Sequence, residues 1–548
     1  MSFKNCVFFP EHIEVPIHPT NLYEWFKMQP PSKELIDSKV YQKFRPYVLE
    51  GSVNYEEVRR KNIVLYLSLS PKLYGYNVET ALFVAALNIT AEESTGTWDP
   101  DLHTIKDEEM DEKTKENMKI LEAKVIGLNF NTGMAAIAFP IEGFEPGNIP
   151  MLLSVIEGNY TGMTSAVYGV RLEDIDIPDS FANSFMGPTI GEDGLKKIYG
   201  SKILVGTIIK PKTGLSAPDW AKAAKRSWLG GLEIVKDDEN LTNQTYCPFD
   251  ERVKLVLNDL KEIEQKTGRK LMYVCNVTAG DIDEMIRRAN LVKEHGGNCL
   301  MIDILAAGFA AVQTLRKKFP DMILHGHRAG HGAKTIYPSF EFEGKKFALR
   351  HGISMKVIAI VARLAGIDQL HVGAPKGKME ASHEHVLQNL EGCSRPLGKI
   401  KACKPICSGG LRSPVMWEVA KIMNLGKQGY NQNFIFQAGG GTHAHPLGTF
   451  AGAKSLVQAR DAIAEGKDFK QSISENFEEL LAFRRWEKDM YADWVKSLTP
   501  DSKIVVEPDT RIYGTNEGNK LEPLPLKEAI LKFPELKEDI EKHNPGIL

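Results

Sequence analysis

The stretch GGLEIVKDDEN, residues 230–240, ends a short apolar run in one lysine and then adds three acids. Successive side chains of an extended strand alternate between its two faces. Leu232, Ile234, Lys236 and Asp238 would share one face, Glu233, Val235 and Asp237 the other, and Glu239 follows as the strand ends. A lysine and an aspartate on an otherwise apolar face need a chemical reason. Asp238 and Glu239 are hard oxygen ligands of the kind Mg2+ takes, an ion that prefers about six oxygens and keeps several waters. A protonated Lys236 would repel that ion. Burial disfavours the charged amine, and a neutral amine can add CO2 to form a carbamate, which turns the lysine into an anionic oxygen ligand. A salt-bridged core lysine and a Schiff-base lysine are the other two chemistries open to the same residue.

Further polar residues follow other short apolar runs. They are Lys210 and Lys212 in IIKPKTG, Asn276, Asp303, and His325, His327 and Arg328 in HGHRAGHGA. His371 comes next, with GAPKGKME close behind it, then Ser408, Gly409 and Gly410 in SGG, and Gly439, Gly440 and Gly441 in AGGG. Taken singly, such a lysine is a solvated rim residue, a Gly-Gly pair a turn, a histidine a structural group and an acid cluster a polar loop. Together they form a pattern. Gly-rich turns expose backbone N–H groups that can cradle phosphate, and Arg and Lys add charge and bidentate donors. Two such turns with separate Arg and His donors suggest a substrate carrying two anionic groups.

A repeating unit must position these residues. From about residue 202, β-rich runs (ILVGTIIK, GLEIVK, LMYVCNV, CLMIDIL, MILHGH, QLHVG, PICSGG, FIFQAGG) alternate with helical patterns, giving eight strand–helix units. Eight such units predict a (β/α)8 TIM barrel over 199–470, an α/β fold whose chemistry sits at the C-terminal ends of the strands. A doubly wound sheet would carry a Gly-rich phosphate turn after its first strand, where this chain has KPKTG. Residues 1–198 read as an α+β N-terminal domain, with runs such as IVLYLSL and GMAAIAFP beside helical VETALFVAALNI. The first 60 of them are weakly patterned. Residues 471–548 read as a helical extension followed by a polar tail.

Composition narrows the partners. A net charge of -3 over 548 residues carries no signal for nucleic acid or a membrane surface. Seven scattered cysteines without a CxxC argue against a disulfide framework or zinc knuckle and fit a cytoplasmic location. MSFKNCVFFPEHIEVP lacks the pattern of a signal peptide, and no apolar run approaches the roughly 20 residues of a membrane helix.

GTIIKPKTGL, GGLEIVKDDEN, HGHRAGHGA, GKME, SGG and GGGTHAHPLG occur in the order, and at the barrel strands, of the ribulose-1,5-bisphosphate carboxylase/oxygenase (RuBisCO) large subunit. Upstream, AEESTGTW (91–98) resembles that family's N-terminal active-site segment, and SVIEGNYTG its Gly-Asn segment. The resemblance spans roughly residues 75–470. It implies a carboxylase acting on ribulose-1,5-bisphosphate with CO2, and with O2 in a competing reaction. Lys236 would be the activating lysine, carbamylated by a CO2 that is not the substrate, and Lys236, Asp238 and Glu239 would hold Mg2+. Lys210, Lys212, His327 and Lys378 would be catalytic. Arg328, His371 and Ser408 would hold one phosphate, Gly410, Gly439, Gly440, Thr97 and Trp98 would hold the other, and Gly409 would line the substrate site. Glu92 would pair with Lys378 and Asn159 would contact substrate and metal, both from a neighbouring subunit. The resemblance thus implies a homodimer or a higher oligomer of dimers, with no small subunit.

The chain also departs from the family pattern. Val372 stands where a serine is often found, and Ile208 where threonine is common. Lys378 and Ser408 are 408 - 378 = 30 residues apart, short beside plant-type enzymes. The segment KTIYPSFEFEGKKFALRHG is longer than usual. These features resemble an archaeal, form III-like enzyme, associated with nucleotide salvage rather than a photosynthetic cycle. A RuBisCO-like enolase or isomerase of a related sugar phosphate is the alternative. Such relatives often lose the loop lysine or a phosphate site, whereas Lys378, Glu92, Arg328 and His371 are all present here. A catalytically silent scaffolding barrel would need neither Lys210 nor Lys236 with its two acids.

Overall fold

Eight parallel strands close into a barrel in the computed structural model, which describes residues 9–10, 32–49, 54–97, 107–342, 344–378, 382–423, 433–507 and 521–548. In chain order they are β1 (Leu204–Ile208), β2 (Ile234–Lys236), β3 (Met272–Asn276), β4 (Cys299–Asp303), β5 (Ile323–His327), β6 (Gln369–His371), β7 (Lys404–Ser408) and β8 (Ile435–Gln437). Each pairs with its neighbour in sequence, and β8 returns to β1 through Ile435↔Leu204 and Phe436↔Val205. The predicted (β/α)8 barrel is therefore the fold. Its interior is filled by Leu204, Ile234, Met272, Val274, Cys299, Met301, Ile323, Ile406 and Ile435, with Leu195 and Tyr199 in the same cluster. These are alternate residues of their strands, so the period-two pattern that marks each strand also fills the core.

Local signals start and stop the barrel helices. Ser216 caps Ala217–Leu229 by accepting from the Asp219 N–H, with a proline in the first turn. Asp281 caps Ile282–Glu294 in the same way. Phe249–Thr267 ends at Gly268, whose left-handed backbone (φ 65) favours glycine.

The chain divides into two compact units, one of residues 1–188, 330–366 and 391–402, the other of residues 189–329, 367–390 and 403–548. In the first, a five-stranded sheet runs in the order Gly352–Ile353, Val167–Asp176, Asn62–Pro71, Met134–Pro140 and Lys124–Asn129. Tyr55, Val64, Tyr66, Ile126, Met134, Ala136 and Ala138 cluster on it. Helix Val78–Glu92, capped by Asn77, buries Leu82, Phe83, Ala86, Leu87 and Ile89. The long segment after β5 contributes a hairpin, Ser339–Phe342 with Lys345–Ala348, which also pairs with Phe9–Pro10. Weakly patterned residues before 62 include short helices such as Lys39–Phe44 and Tyr55–Lys61.

Beyond the barrel lie helices Phe469–Glu475, Phe477–Trp486 and Lys488–Ser497. The polar tail, residues 507–528, lies largely outside the described residues, and its end runs into two helices, Leu526–Lys532 and Pro534–His543. Leu526, Ala529, Phe533, Leu536 and Ile540, spaced by three and four, are buried, while Leu531 is exposed. Among the described residues no helix is long and apolar enough to cross a membrane.

Candidate active site

The end of β2 separates two functions by alternation. Lys236 is fully buried on the same face as Ile234 of the barrel core. Its Nζ donates to the Asp237 carbonyl at 2.8 Å and lies 3.8 Å from Glu239 Oε2. Burial lowers the Lys236 pKa, and the nearby carboxylates Glu239, Asp238 and Asp303 only partly offset it. Asp238, also fully buried, accepts from Lys210 Nζ at 2.6 Å and from the Asn240 N–H at 3.1 Å. Burial alone would raise the Glu239 carboxyl, but Lys236 and His327 outweigh it and bring it to about 2.

Asp237 faces the other way. Its carboxylate accepts from Trp220 Nε1 (3.0 Å), the Tyr273 hydroxyl (2.5 Å), Arg252 (3.3 Å) and the Asn276 N–H (3.1 Å). Asn276 Nδ2 reaches the carbonyls of Asp238, Glu239 and Leu241 at 3.2 to 3.4 Å. The loop that carries Asp238 and Glu239 is thus pinned from outside the barrel by one carboxylate and from β3 by one amide.

The remaining strands deliver their polar residues to the same end of the barrel. His327, on β5, sits 3.5 Å from Glu239 through Nε2 and 2.7 Å from Asp303 Oδ1 through Nδ1. Buried Arg328 follows it. His371, on β6, stacks edge-on against both His325 and His327, with centroids 4.8 and 4.9 Å away. Burial, then the surrounding positive groups, hold His371 well below the usual histidine range. Its Nδ1 lies 2.7 Å from Ser408 Oγ at the end of β7. Lys212 is exposed and donates to Asn240 Oδ1 at 2.8 Å. Lys378 is exposed, and its N–H donates to the Gly409 carbonyl at 3.1 Å. A Cβ on Gly410 (φ +74) would lie 2.8 Å from the Lys378 nitrogen, so the loop after β6 and the turn after β7 approach as closely as glycine permits. Gly439 lies against Lys210, whose Cε would be 3.0 Å from an added Cβ, and Gly440 faces open space.

Three predicted residues belong to the first unit. Glu92 ends helix Val78–Glu92, Thr97 follows it half-buried, and Asn159 is exposed at the start of Asn159–Gly162. Glu93 joins these segments by accepting from the Tyr160 N–H at 2.8 Å. Burial raises Glu93 to about 7, partly countered by that hydrogen bond. Gly158 makes room, since a Cβ there would sit 2.2 Å from Glu93 Oε2. Trp98 lies outside the described residues.

Sequence reasoning did not assign roles to Asp237, Asn276, Asp303, His325, Gln369 or Glu93. For Asn276, Asp303 and His325 the signal was their place at strand ends. For the others only the folded contacts reveal it.

Asp238 and Glu239 fit a hard dication in donor chemistry. Among the described residues no group of three or more His, Cys, Asp or Glu is arranged to hold a metal ion.

A closed parallel barrel that gathers lysines, carboxylates and histidines at its strand ends is the architecture of a barrel enzyme. Residues 192–486 match the ribulose bisphosphate carboxylase large chain, catalytic domain, and residues 52–181 match that chain's N-terminal domain. A ribulose bisphosphate carboxylase of Archaeoglobus fulgidus is 37% identical over 469 residues, 81% of this chain and 98% of the relative. One of Methanosarcina mazei is 39% identical over 371 residues, 64% of this chain and 82% of the relative. Among solved structures, the octameric enzyme of Pyrococcus horikoshii superposes with a TM-score of 0.70 at 31% identity, covering 81% of this chain and 97% of that one. The dimeric archaeal enzyme of Hyperthermus butylicus gives 0.69 at 32% identity, covering 81% and 99%. The chain belongs to the ribulose bisphosphate carboxylase large-chain family.

Proposed function

We propose that this chain carboxylates ribulose-1,5-bisphosphate with CO2 to two molecules of 3-phosphoglycerate, with competing oxygenation. The observation that carries the reading is Lys236, fully buried with a lowered pKa beside two carboxylates. Its neutral amine attacks the carbon of an activating CO2 and loses one N–H proton, leaving a carbamate. A magnesium ion held by that carbamate, Asp238 and Glu239 supplies, when bound, Lewis-acid charge beside the substrate oxygens.

Once carbamylated, Lys236 would offer an oxygen to take the C3 proton of the sugar. Lys210, within hydrogen-bond reach of Asp238, returns a proton at C2, and Lys212 supports it electrostatically. His327, oriented by Asp303, moves protons during hydration. Lys378 stabilises the carboxylate that forms from substrate CO2. Arg328, His371 and Ser408 bind one phosphate. Gly410, Gly439 and Gly440 bind the other, with Thr97 and Trp98, and Gly409 lines the substrate site. Glu92 and Asn159 act across a subunit boundary, so the working unit is a homodimer or an oligomer of dimers without a small subunit. The form III-like resemblance of the sequence would place the reaction in nucleotide salvage or carbon fixation.

The test is fixation of 14C-bicarbonate in the presence of ribulose-1,5-bisphosphate and Mg2+. Acid-stable 3-phosphoglycerate is expected, and its absence from folded, CO2-preincubated protein refutes the reading.

A further inference from the structure

A line of hydrogen bonds inside the barrel ends at Ser408. Gln369 Nε2 lies 3.1 Å from His325 Nδ1, His325 Nε2 lies 2.9 Å from His371 Nε2, and His371 Nδ1 lies 2.7 Å from Ser408 Oγ. Gln369 and His325 are fully buried, His371 nearly so, and Ser408 is half-exposed. Each contact needs one donor and one acceptor, so one fixed end sets the whole line.

The fixed end is the Gln369 amide. Its Nε2 lies 3.3 Å from Met272 Sδ and 3.5 Å from Cys299 Sγ. A thioether sulfur carries no hydrogen and can only accept. The Met272 contact therefore favours the nitrogen on that side, and Oε1 is buried with no partner among the described residues. The opposite orientation would set the oxygen against that sulfur and leave both amide N–H groups unpaired. With Nε2 donating, His325 Nδ1 accepts, so the proton of His325 is on Nε2. His371 Nε2 then accepts, and the proton of His371 is on Nδ1. That N–H donates to Ser408 Oγ, so in this order His371 acts on the phosphate through Ser408, and the serine's own hydrogen is left to point elsewhere.

We infer that Gln369 is a positioning residue, which sets the proton order through His325 and His371 so that Ser408 offers its hydroxyl hydrogen to an anionic oxygen of the substrate. The inference rests on the reading of Ser408 as a phosphate contact. In the reverse order Ser408 would donate inward to His371 and present only lone pairs to an anion.

The affinity of the Mg2+-activated enzyme for ribulose-1,5-bisphosphate, together with KM and kcat, tests the inference in Gln369→Leu, Ser408→Ala and the double variant. Gln369→Leu removes the donor to His325 Nδ1 and frees both proton orders. Its affinity is expected to fall about three- to ten-fold, the worth of one hydrogen bond, with KM moving more than kcat. In the Ser408→Ala background the same substitution should add nothing, because the effect travels through Ser408; a purely structural role would add in full. Loss in Ser408→Ala without loss in Gln369→Leu overturns the relay and leaves the phosphate assignment standing. No loss in Ser408→Ala overturns the assignment and the relay with it. Neutron diffraction of deuterium-exchanged wild-type crystals gives a readout that needs no variant. Deuterium on His325 Nε2 and His371 Nδ1 is expected, and deuterium on His325 Nδ1 or His371 Nε2 overturns the proposal.

Discussion

Glu479→Gln should stabilise the protein in mild alkali and leave it unchanged in mild acid. Glu479 is fully buried in helix Phe477–Trp486, where Oε1 accepts from Trp417 Nε1 at 2.9 Å and Oε2 meets Ser472 Oγ at 2.5 Å. Burial raises its carboxyl from an ordinary 4.5 to about 7, and the two hydrogen bonds only partly counter it. The folded chain thus holds a proton that the unfolded chain releases across that interval. The contribution is fully present below about pH 4.5 and is lost as pH rises through about 7. At ~1.4 kcal/mol per pH unit, the loss approaches roughly 3 kcal/mol once both states are ionised. Glutamine keeps the volume, accepts from Trp417 and donates to Ser472, and has no charge to bury. If the whole chain melts as one unit, 3 kcal/mol corresponds to only about 2–3 °C in Tm. Scanning calorimetry of both proteins at about pH 4 and about pH 8, at matched ionic strength, measures it. A Tm difference that is constant with pH, or that grows toward acid, refutes the reasoning.

Three further predictions concern catalysis. Preincubation with CO2 and Mg2+ should raise the initial rate, and Lys236→Arg should be inactive because guanidinium stays charged and forms no carbamate; full activity in that variant would exclude the carbamate. Mixing inactive Glu92→Gln with inactive Lys236→Arg chains should restore activity, since a mixed dimer assembles one site free of both lesions; no recovery despite proven subunit exchange means each site is built from one chain. Lys378→Ala should lower 14C fixation by on the order of 100-fold or more while C3 proton exchange, followed by tritium wash-out, persists. Parallel loss of both activities in folded, bisphosphate-binding protein would assign Lys378 another task.

The barrel was legible because each strand is a short β-rich run between helical patterns, and closure follows from eight repeats of one unit. The alternation at Ile234, Lys236 and Asp238 was legible for the same reason, since it is local. Asp237 was not, because its partners Trp220, Arg252, Tyr273 and Asn276 come from two helices and a neighbouring strand. Glu93 and Gln369 were hidden in the same way: one matters through Tyr160, 67 residues on, and the other through Met272, 97 residues back. The last helices were missed because their five buried residues are diluted among charged ones.

The opposed duties of Lys236 and Asp237 make residues 234–239 intolerant of a change in length. Inserting or deleting one residue in β2 would turn every side chain to the other face. An aspartate would then point into the barrel mouth, and a lysine would meet Trp220, Tyr273 and Arg252. Point substitutions here can be graded, but a register slip removes the catalytic cluster and its external anchor in one event. In a library of single-residue insertions and deletions, this window should be empty among functional clones, while the exposed stretch 344–346 of the Lys345–Ala348 hairpin should be populated.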